Sequence, residues 1–379
     1  MQEEGNGSVN EEEDSIIDQE INAIDRELEA LRGNNPIQRE AHQTMSSKGV
    51  NIKEAIGIQA NKSSKKNNSI FLIPSRIRSH KRDLSKVIRS GVDTLDKLII
   101  GFNPGELSIW SGSNGSGKSS ILSQIAIEGV HQNFNIALFS GELRADRVLN
   151  WLQLQAAGKK YAEPTQYDNY YTVSDNIKRK INTWMDPRIY IYDNDFGTNV
   201  ISVLRAIKEC IEKQHINMVI IDNMMSLDMA TVGGEKYERQ TALVLSLCEL
   251  AKQCSVHIHF VAHPRKSLGF LRKSDISGTA DLTNAADNVF IVHRVNTDFK
   301  RTTKADLGLK EDNPIYGYSN VIEICKNRDL GVSDEFVGLY FEKESKRFLN
   351  IKNEDKRYGW EADDNGFMKV DNERLPFDE

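Results

Sequence analysis

One glycine-rich segment, set between a strand-like run and a helix-like run, restricts the possible folds most strongly. Gly112–Ser119 reads G-S-N-G-S-G-K-S and fits the phosphate-binding P-loop pattern at every fixed position. The apolar run Glu106–Trp110 precedes it, and Ser120–Ile127 follows with helical character. Backbone N–H groups at a helix N-terminus point at an anion, and glycines allow its close approach. The sequence therefore predicts a nucleoside triphosphate site in preference to a simple Gly/Ser-rich turn.

The loop and the residue after it are the predicted nucleotide-binding residues. Within it, Lys118 supplies a point charge for the β- and γ-phosphates, and the Ser119 hydroxyl is placed to bind Mg²⁺. The expected cofactors are therefore ATP, or another nucleoside triphosphate, and Mg²⁺. The predicted binding set is Gly112, Ser113, Asn114, Gly115, Ser116, Gly117, Lys118, Ser119 and Ser120.

Strand-like and helix-like segments alternate from about residue 87 to 351, which predicts an α/β fold. Several strands are apolar almost throughout, as a parallel sheet covered on both faces requires. The last two strands, Val337–Glu342 and Arg347–Ile351, are expected to form a C-terminal β-hairpin. The other predicted strands are Leu107–Ser111, Ile136–Ser140, Ile189–Tyr192, Met218–Asp222, His257–Ala262, Val289–His293 and Val321–Lys326. The predicted helices are Ser119–Gly129, Ala145–Ala156, Asn199–Lys213 and Glu235–Gln253, and Tyr161–Tyr171 is expected to be a loop.

Three regions are expected along the 379 residues. Residues 1–80 contain an acidic, amphipathic helix over residues 15–31 and a polar, then basic linker, and they form a charged, partly disordered N-terminal extension. The alternative for that helix is docking on a neighbouring subunit. Residues 81–355 form the ATPase domain, and residues 356–379 form a charged C-terminal tail.

Bulk composition excludes several classes of protein. The four cysteines are scattered without a C-x-x-C pair, which argues against a zinc ribbon and a disulfide framework and suits a reducing cytoplasm. No signal-peptide pattern and no apolar run of membrane-spanning length is present, so we expect a cytoplasmic protein without membrane partners. The net charge of −6 gives no global sign of nucleic-acid binding, so any such surface must be local.

Hydrolysis requires a metal-binding carboxylate and a group that activates water, and two strand ends offer them. Asp222 ends the apolar run Met218–Asp222 and is predicted to hold Mg²⁺; capping of the next segment is the alternative. Glu142 follows the strand that ends at Ser140, at the sheet edge where ligands bind. Its predicted role is the general base for the attacking water, and the alternative is a helix N-terminal acid.

Cations and a histidine follow two further strands. His263 ends a strand at the same predicted sheet edge as Asp222, within reach of a γ-phosphate, although a histidine at a strand end is more often structural. The basic loop after it suits contacts to single-stranded nucleic acid, but surface Lys and Arg are common. Lys326 and Arg328 close the strand Val321–Lys326, either as a solvated edge or as an arginine finger for the next subunit.

In their order and spacing, these segments resemble the RecA-like motor domain of ring-forming replicative DNA helicases. The phage primase-helicases and the mitochondrial helicase Twinkle are the most similar branch, and the bacterial DnaB helicases are further away. The resemblance covers about Ser90–Ile351. It is carried by residues 111–119, 140–142, 220–223, 262–266, 276–281 with 285–289, and 326–328.

The resemblance implies the role of each matched residue. Glu142 falls on the catalytic base, Asp222 on the metal-binding acid and His263 on the sensor that couples the γ-phosphate to DNA. Lys326 and Arg328 fall on the pair that reaches across the subunit boundary. The loops after Asp222 and His263 correspond to those that line the DNA channel. The candidate DNA contacts are therefore Lys236, Arg239, Arg265, Lys266, Arg272 and Lys273.

The implied activity is NTP hydrolysis coupled to DNA unwinding by a homo-hexameric ring that translocates 5′ to 3′ on single-stranded DNA. A separate primase, polymerase or loader is a candidate partner, because the chain has only a charged lead-in where phage relatives carry a primase-like region. Two alternatives remain open: a RecA/RadA-type recombination ATPase that forms filaments, and a ring that uses ATP to load or organise replication partners without unwinding. A metabolic kinase is disfavoured because no phosphate-acceptor lid is recognisable.

Overall fold

A nine-stranded sheet forms the centre of the computed structural model, which describes residues 49–58, 74, 82–265, 269–276 and 280–361. The predicted acidic helix and most of the linker lie outside the described residues. The nine strands are β1 (Leu107–Ser111), β2 (Ile136–Ser140), β5 (Ile189–Ile191), β6 (Met218–Asp222), β7 (His257–Val261), β8 (Asn288–Arg294), β9 (Asn320–Asn327), β10 (Glu335–Glu342) and β11 (Arg347–Leu349). Their order across the sheet is β11-β10-β9-β8-β1-β7-β6-β2-β5.

Six of these strands, β5, β2, β6, β7, β1 and β8, run parallel to one another. All five residues of β1 and β7 are buried, as expected for strands covered by helices on both faces. The last three strands pair antiparallel, and β10 and β11 form the predicted C-terminal hairpin. The prediction of an α/β fold with a mostly parallel sheet is confirmed.

Nine α-helices lie within the described residues. The four predicted ones begin and end within two residues of the predicted limits, whereas the other five were not predicted. The helices are α1 (Ile52–Ala55), α2 (Asp93–Ile99), α3 (Lys118–His131), α4 (Ala145–Ala157), α5 (Asp175–Met185), α6 (Val200–Gln214), α7 (Lys236–Cys254), α8 (Ala280–Ala285) and α9 (Thr297–Leu307).

Local sequence explains where the helices begin and end. The Asn199 side chain accepts hydrogen bonds from the backbone N–H groups of Ile201 and Ser202, and this N-cap fixes the start of α6. α7 ends at Cys254, and the C-cap residue Ser255 adopts a left-handed conformation typical of a helix terminus. α5 has few apolar residues, and only Ile181 and Met185 are buried along it, but its apolar residues recur on one helical face, a signal in the sequence that the prediction missed.

The tyrosine-rich segment is more ordered than the predicted loop. β3 (Glu163–Pro164) and β4 (Tyr171–Thr172) pair antiparallel as a separate two-stranded ribbon. Thr165 stabilises the turn between them, because its hydroxyl donates to the Tyr170 carbonyl at 3.0 Å. The prediction of a loop between elements is therefore wrong for the ends of this segment.

Two segments outside the predicted ATPase domain pack against it. Near the N-terminus, Arg205 and Lys208 of α6 donate hydrogen bonds to the carbonyls of Ala55 and Ile56. At the other end, Tyr358 and Trp360 are buried, and the Trp360 indole N–H donates to the Ala156 carbonyl at 2.9 Å. Both segments are thus held to the predicted ATPase domain by hydrogen bonds.

Candidate functional site at the carboxyl ends of the parallel strands

The P-loop joins β1 to α3, and two of its glycines occupy backbone positions that exclude other residues. Gly112 has φ 148°, and a Cβ there would lie 2.4 Å from the Val292 carbonyl oxygen. Gly117 has φ 99°, and a Cβ would lie 2.5 Å from Cζ of Phe348. The loop therefore keeps its backbone N–H groups free of side chains at the start of α3, as phosphate binding requires.

Lys118, the first residue of α3, is buried within the loop that it closes. Its ammonium group donates to the carbonyl oxygens of Gly112 at 2.8 Å and Ser113 at 3.0 Å. Burial lowers the pKa of Lys118, and the nearby carboxylates of Asp222 and Glu142 oppose that shift. A phosphate group placed in the loop would supply the anionic partner that a buried ammonium favours.

Asp222 ends β6 next to the P-loop, and its carboxylate accepts a hydrogen bond from the Ser119 hydroxyl. Burial raises the pKa of Asp222, as does the neighbouring Glu142, while Ser119, Lys118 and His263 lower it. The described residues contain no cluster of three or more His, Cys, Asp or Glu side chains that would cage a metal. Two adjacent oxygen ligands fit Mg²⁺, which keeps several waters and is completed by substrate phosphates.

Glu142 lies two residues beyond the end of β2, and 62% of its side chain is exposed. The chain reaches this position through Gly141, where a Cβ would lie 2.0 Å from the Ser226 side chain. The amide of Asn223 donates to Glu142 Oε1. The Asn223 amide oxygen accepts from the N–H groups of Met225 and Ser226, so the amide is fixed in the orientation that presents its NH₂ to Glu142.

Asn223 is a site residue to which sequence reasoning gave no role. It is buried, with only 1% of its surface exposed, and it follows Asp222 directly through a cis peptide bond. The available signal was an amide residue immediately after the acid at the end of an apolar strand.

His263 follows β7, and its Nε2 lies 3.5 Å from Glu142 Oε1. Burial and the charge of Lys118 lower the pKa of His263, although Glu142 and Asp222 oppose the shift. At neutral pH the imidazole is therefore uncharged. The structure thus brings Lys118, Asp222, Glu142 and His263 together at the carboxyl ends of the four adjacent strands β1, β7, β6 and β2.

Lys326 and Arg328 are not part of this cluster. Asn327 at the end of β9 pairs with Asn288 at the start of β8, which is the amino end of the parallel strands. Because β1 spans five residues at about 3.3 Å per residue, the two edges of the sheet are about 15 Å apart. The cationic pair therefore lies at the edge opposite the P-loop of the same chain.

The candidate DNA contacts differ in whether their side chains are exposed or bonded to other residues of the chain. Lys236 and Arg265 are exposed, and the Arg265 guanidinium lies 5.7 Å from the ring centre of Tyr237. Arg239 is tied back, because its Nε donates to the Gly234 carbonyl at 2.6 Å. Arg272 lies 3.6 Å from Asp306, and Lys273 is close enough to Lys326 to lower the pKa of that lysine. Lys266 lies outside the described residues.

The C-terminal hairpin packs against the P-loop and α3, a contact that the sequence does not reveal. The Gln124 side chain in α3 donates to the Phe348 carbonyl at 2.8 Å and accepts from the Phe348 N–H at 2.7 Å. These two bonds hold the Phe348 ring against Gly117. Asn320 of β9 also contacts the loop, since its amide donates to the Ser116 carbonyl at 2.8 Å.

Comparison with known families agrees with this arrangement. The family of DnaB-like helicase C terminal domains matches residues 87–350, which include the sheet and each cluster described above. The chain belongs to this DnaB-like family. The resemblance to ring-forming replicative helicases is thereby confirmed.

Two curated relatives are longer than this chain. The chain is 26% identical over 215 residues to the Twinkle homolog protein, chloroplastic/mitochondrial, of Arabidopsis thaliana, covering 55% of this chain and 30% of that protein. It is 21% identical over 221 residues to the replicative DNA helicase DnaB of Helicobacter pylori, covering 55% of this chain and 43% of that protein. The chain therefore matches less than half the length of either relative.

Two solved structures share the fold. One, described as an ATPase domain, superposes with a TM-score of 0.53 at 18% identity, covering 70% of this chain and 91% of that one. The other, a DnaB-like replicative helicase described together with its interactions with primase, superposes with a TM-score of 0.54 at 17% identity, covering 69% and 61%. None of the described helices is both long and apolar enough to cross a membrane.

Proposed function

We propose that this chain is the ATP-driven motor of a replicative DNA helicase, which acts as a hexameric ring and translocates 5′ to 3′ on single-stranded DNA. The observation that carries the proposal is the meeting of Lys118, Asp222, Glu142 and His263 beside the P-loop. The 3.5 Å distance between His263 and Glu142 supports the proposed role of His263 as a sensor of the γ-phosphate. Membership of the DnaB-like family supports the same activity.

In this proposal the P-loop binds the triphosphate, with Lys118 on the β- and γ-phosphates. Ser119 and Asp222 would hold Mg²⁺, which supplies charge neutralisation on the phosphates when bound. Glu142 accepts a proton from the attacking water. Asn223 directs the Glu142 carboxylate, and the exposure of that carboxylate leaves room for the water.

The site is proposed to be shared between subunits. Within one chain, the four groups beside the P-loop include one cation, Lys118, for the charge that develops during phosphoryl transfer. The exposed Arg328 lies at the opposite edge of the sheet, where it would face the nucleotide of a neighbour in a ring. Neutral His263 would link loss of the γ-phosphate to movement of the loop that carries Arg265.

The proposed DNA interface is the surface formed by the loops after β6 and β7. Lys236 and Arg265 are exposed cations suited to backbone phosphates, and Tyr237 beside Arg265 offers an exposed ring for a base or sugar. Arg272, Lys273 and Lys266 remain candidate contacts in the same loop.

A separate primase is a proposed partner, because a DnaB-like helicase of similar fold has been described with its interactions with primase. A polymerase and a loader remain further candidates.

A strand-displacement assay on a forked DNA tests the function. The wild-type protein should displace one strand with ATP and Mg²⁺. Lys118→Ala should lose nucleotide binding and displacement, whereas Glu142→Gln should bind nucleotide but lose hydrolysis. Wild-type protein that assembles with ATP on DNA without displacing a strand would instead indicate a ring that organises partners. Open filaments on DNA in electron micrographs would indicate a recombination ATPase.

A further inference from the structure

The surroundings of Arg328 fix the direction of its guanidinium group. Its Nη1 donates to Asp287 Oδ1 at 2.7 Å, and its Nη2 donates to the carbonyls of Asn284 at 2.7 Å and Ala285 at 3.2 Å. These carbonyls belong to the last turn of α8, where a cation is favoured. A guanidinium has five N–H donors, so the three bonds leave the Nε–H and one Nη1–H for another partner.

Lys326 differs from Arg328 in this respect. Its ammonium donates to the carbonyls of Thr283 at 3.1 Å, Asn284 at 2.9 Å and Ala286 at 2.7 Å. All three of its donors are therefore used in holding the end of α8. Of the two cations, Arg328 is the one with donors available and 47% of its side chain exposed.

Asp287 connects Arg328 to the strand that leads into the P-loop. Its Oδ2 accepts from the N–H of Leu107, the first residue of β1, at 3.0 Å. The backbone repeats both connections, since the Asp287 N–H donates to the Leu107 carbonyl and the Arg328 N–H donates to the Asp287 carbonyl, each at 2.9 Å. One largely buried residue thus bonds to the start of β1 and to Arg328 through both its side chain and its backbone.

We propose that Asp287 is a positioning residue that holds Arg328 ready for the neighbouring subunit's nucleotide and links Arg328 to β1 and the P-loop of its own subunit. This inference rests on the proposed shared site. A purely structural role, in which Arg328 only neutralises a buried carboxylate, is the alternative. The two differ because positioning requires every effect of Asp287 on hydrolysis to pass through Arg328.

The first test is Asp287→Asn. The amide oxygen can still accept from the Leu107 N–H, but the amide NH₂ cannot accept from Arg328. We expect kcat for DNA-stimulated ATP hydrolysis to fall about tenfold, since small misplacements of a catalytic group cost that much or more. KM for ATP should change less than about twofold, because the subunit's own P-loop keeps its contacts. An unchanged or raised kcat overturns the proposal.

A double-mutant cycle separates positioning from structure. In an Arg328→Ala background, Asp287→Asn should cause no further loss of kcat. A matched control is Glu323→Gln, which alters another largely buried acid, one that pairs with His293 instead of Arg328. If Glu323→Gln lowers kcat, it should lower kcat by the same factor in the Arg328→Ala background as in the wild-type background. Multiplicative losses for Asp287→Asn as well would assign it a structural role and overturn the proposal.

Mixed rings test the effect on the neighbour. Subunits carrying Lys118→Ala alone, or Lys118→Ala with Asp287→Asn, are titrated into wild-type protein. The doubly substituted subunits should inhibit ATP hydrolysis more steeply, because their misplaced Arg328 also impairs the nucleotide site of the neighbouring subunit. Equal inhibition overturns the proposal. If Asp287→Asn does not assemble, Asp287→Glu serves in the same assays, because its longer side chain displaces the carboxylate while keeping the charge. Full activity of Arg328→Ala would refute the shared site itself.

Discussion

The direction of the Glu142 carboxylate is set by a residue that contacts no nucleotide in the proposed mechanism. Asn223 is buried, its oxygen is used by the turn that follows β6, and its NH₂ group is left for Glu142. Sequence patterns place Glu142, the proposed general base, and Asp222, the proposed Mg²⁺ ligand, at strand ends, but they do not reveal this cross-strand bond. It arises because β2 and β6 are adjacent in the sheet, while 81 residues separate the two side chains in sequence.

Asn223→Asp is expected to lower kcat for ATP hydrolysis at least tenfold. The substitution replaces the NH₂ donor with a carboxylate oxygen beside Glu142, so attraction becomes repulsion. Nucleotide affinity should change by less than about twofold, because the P-loop contacts are untouched. Steady-state hydrolysis and binding of a fluorescent nucleotide measure the two quantities.

Ser226→Ala is the matched control for this prediction. It removes a hydroxyl that bonds to Asn223 but leaves the NH₂ group directed at Glu142. Its kcat should stay within about threefold of wild type, because the lost hydrogen bonds are neutral and none of them involves Glu142. A larger loss than that of Asn223→Asp would contradict the assigned orientation.

At the scale of elements, the hairpin acts on the P-loop through α3. Gln124→Ala leaves the buried N–H and carbonyl of Phe348 without their side-chain partner, and each such group costs about 1–3 kcal/mol. We expect a lower free energy of unfolding and weaker nucleotide binding, because the Phe348 ring would no longer be held against Gly117. Chemical denaturation and nucleotide titration would detect both changes.

Gln132→Ala is the control, because it removes a glutamine at the C-terminal end of α3. Its side chain bonds to the backbone of Arg89 and not to the hairpin. Stability should fall in this variant too, but nucleotide affinity should not. Unchanged nucleotide affinity in Gln124→Ala would show that the hairpin does not support the loop.

β7 should make stability depend on pH through its buried histidines. His257 donates from Nδ1 to the Asn103 carbonyl and accepts at Nε2 from Ser108, so it is neutral. Burial lowers the pKa of His257 from its ordinary 6.5 to about 4. Between these values the unfolded chain binds a proton that the folded chain excludes. Stability from this group is therefore complete above pH 6.5 and falls as pH drops towards 4, by about 1.4 kcal/mol per pH unit.

The free energy of unfolding at pH 7 and pH 5 measures this slope. His257→Gln should reduce it, whatever its effect on stability at pH 7, while Ser108→Ala should lower stability at both pH values and keep much of the slope. Burial raises the pKa of Asp96 to about 6, which acts with the opposite sign, so the comparison must be between variants. Equal slopes in wild type and His257→Gln would contradict the prediction.

The elements that the sequence predicted are those with strong local patterns. Most residues of the parallel strands are apolar, and α4, α6 and α7 have clear limits, so their bounds were found within two residues. α9 was missed because few of its residues are buried, and such a helix depends on packing that single-sequence patterns do not encode. α5 was missed although Ile177, Ile181, Trp184 and Met185 recur at helical spacing. The partners of Arg328 were missed for a related reason, since Asp287 lies 41 residues away in sequence.

At the scale of the whole molecule, hydrolysis should depend on assembly. One chain supplies the P-loop, the metal-binding residues and Glu142, but Arg328 lies at the other edge of its sheet. Specific ATPase activity should therefore rise with protein concentration until assembly is complete, so that total activity rises more than linearly over that range. Sedimentation and hydrolysis measured on the same dilution series would show whether the two transitions coincide. Constant specific activity from monomer to oligomer would contradict a shared site.

Mixing provides a second measurement of the same property. Arg328→Ala subunits titrated into wild-type protein should reduce activity by more than their fraction, because each one impairs an intact neighbour. Arg301→Ala, which removes an exposed arginine that contacts only Asp298 among the bonds described, is the control and should have no such effect. A strictly linear loss with Arg328→Ala would count against contribution across subunits.

Under the proposed shared site, the placement of the P-loop and Arg328 at opposite edges of one sheet limits the symmetry of an active assembly. Two rigid copies related by a two-fold axis meet through the same surface, so neither can offer one edge while receiving at the other. Every nucleotide site is complete only if the copies are arranged head to tail around one rotation axis and form a closed ring. Such a closed ring has two different faces, and this polarity is what would allow a DNA strand in its channel to be moved in one direction.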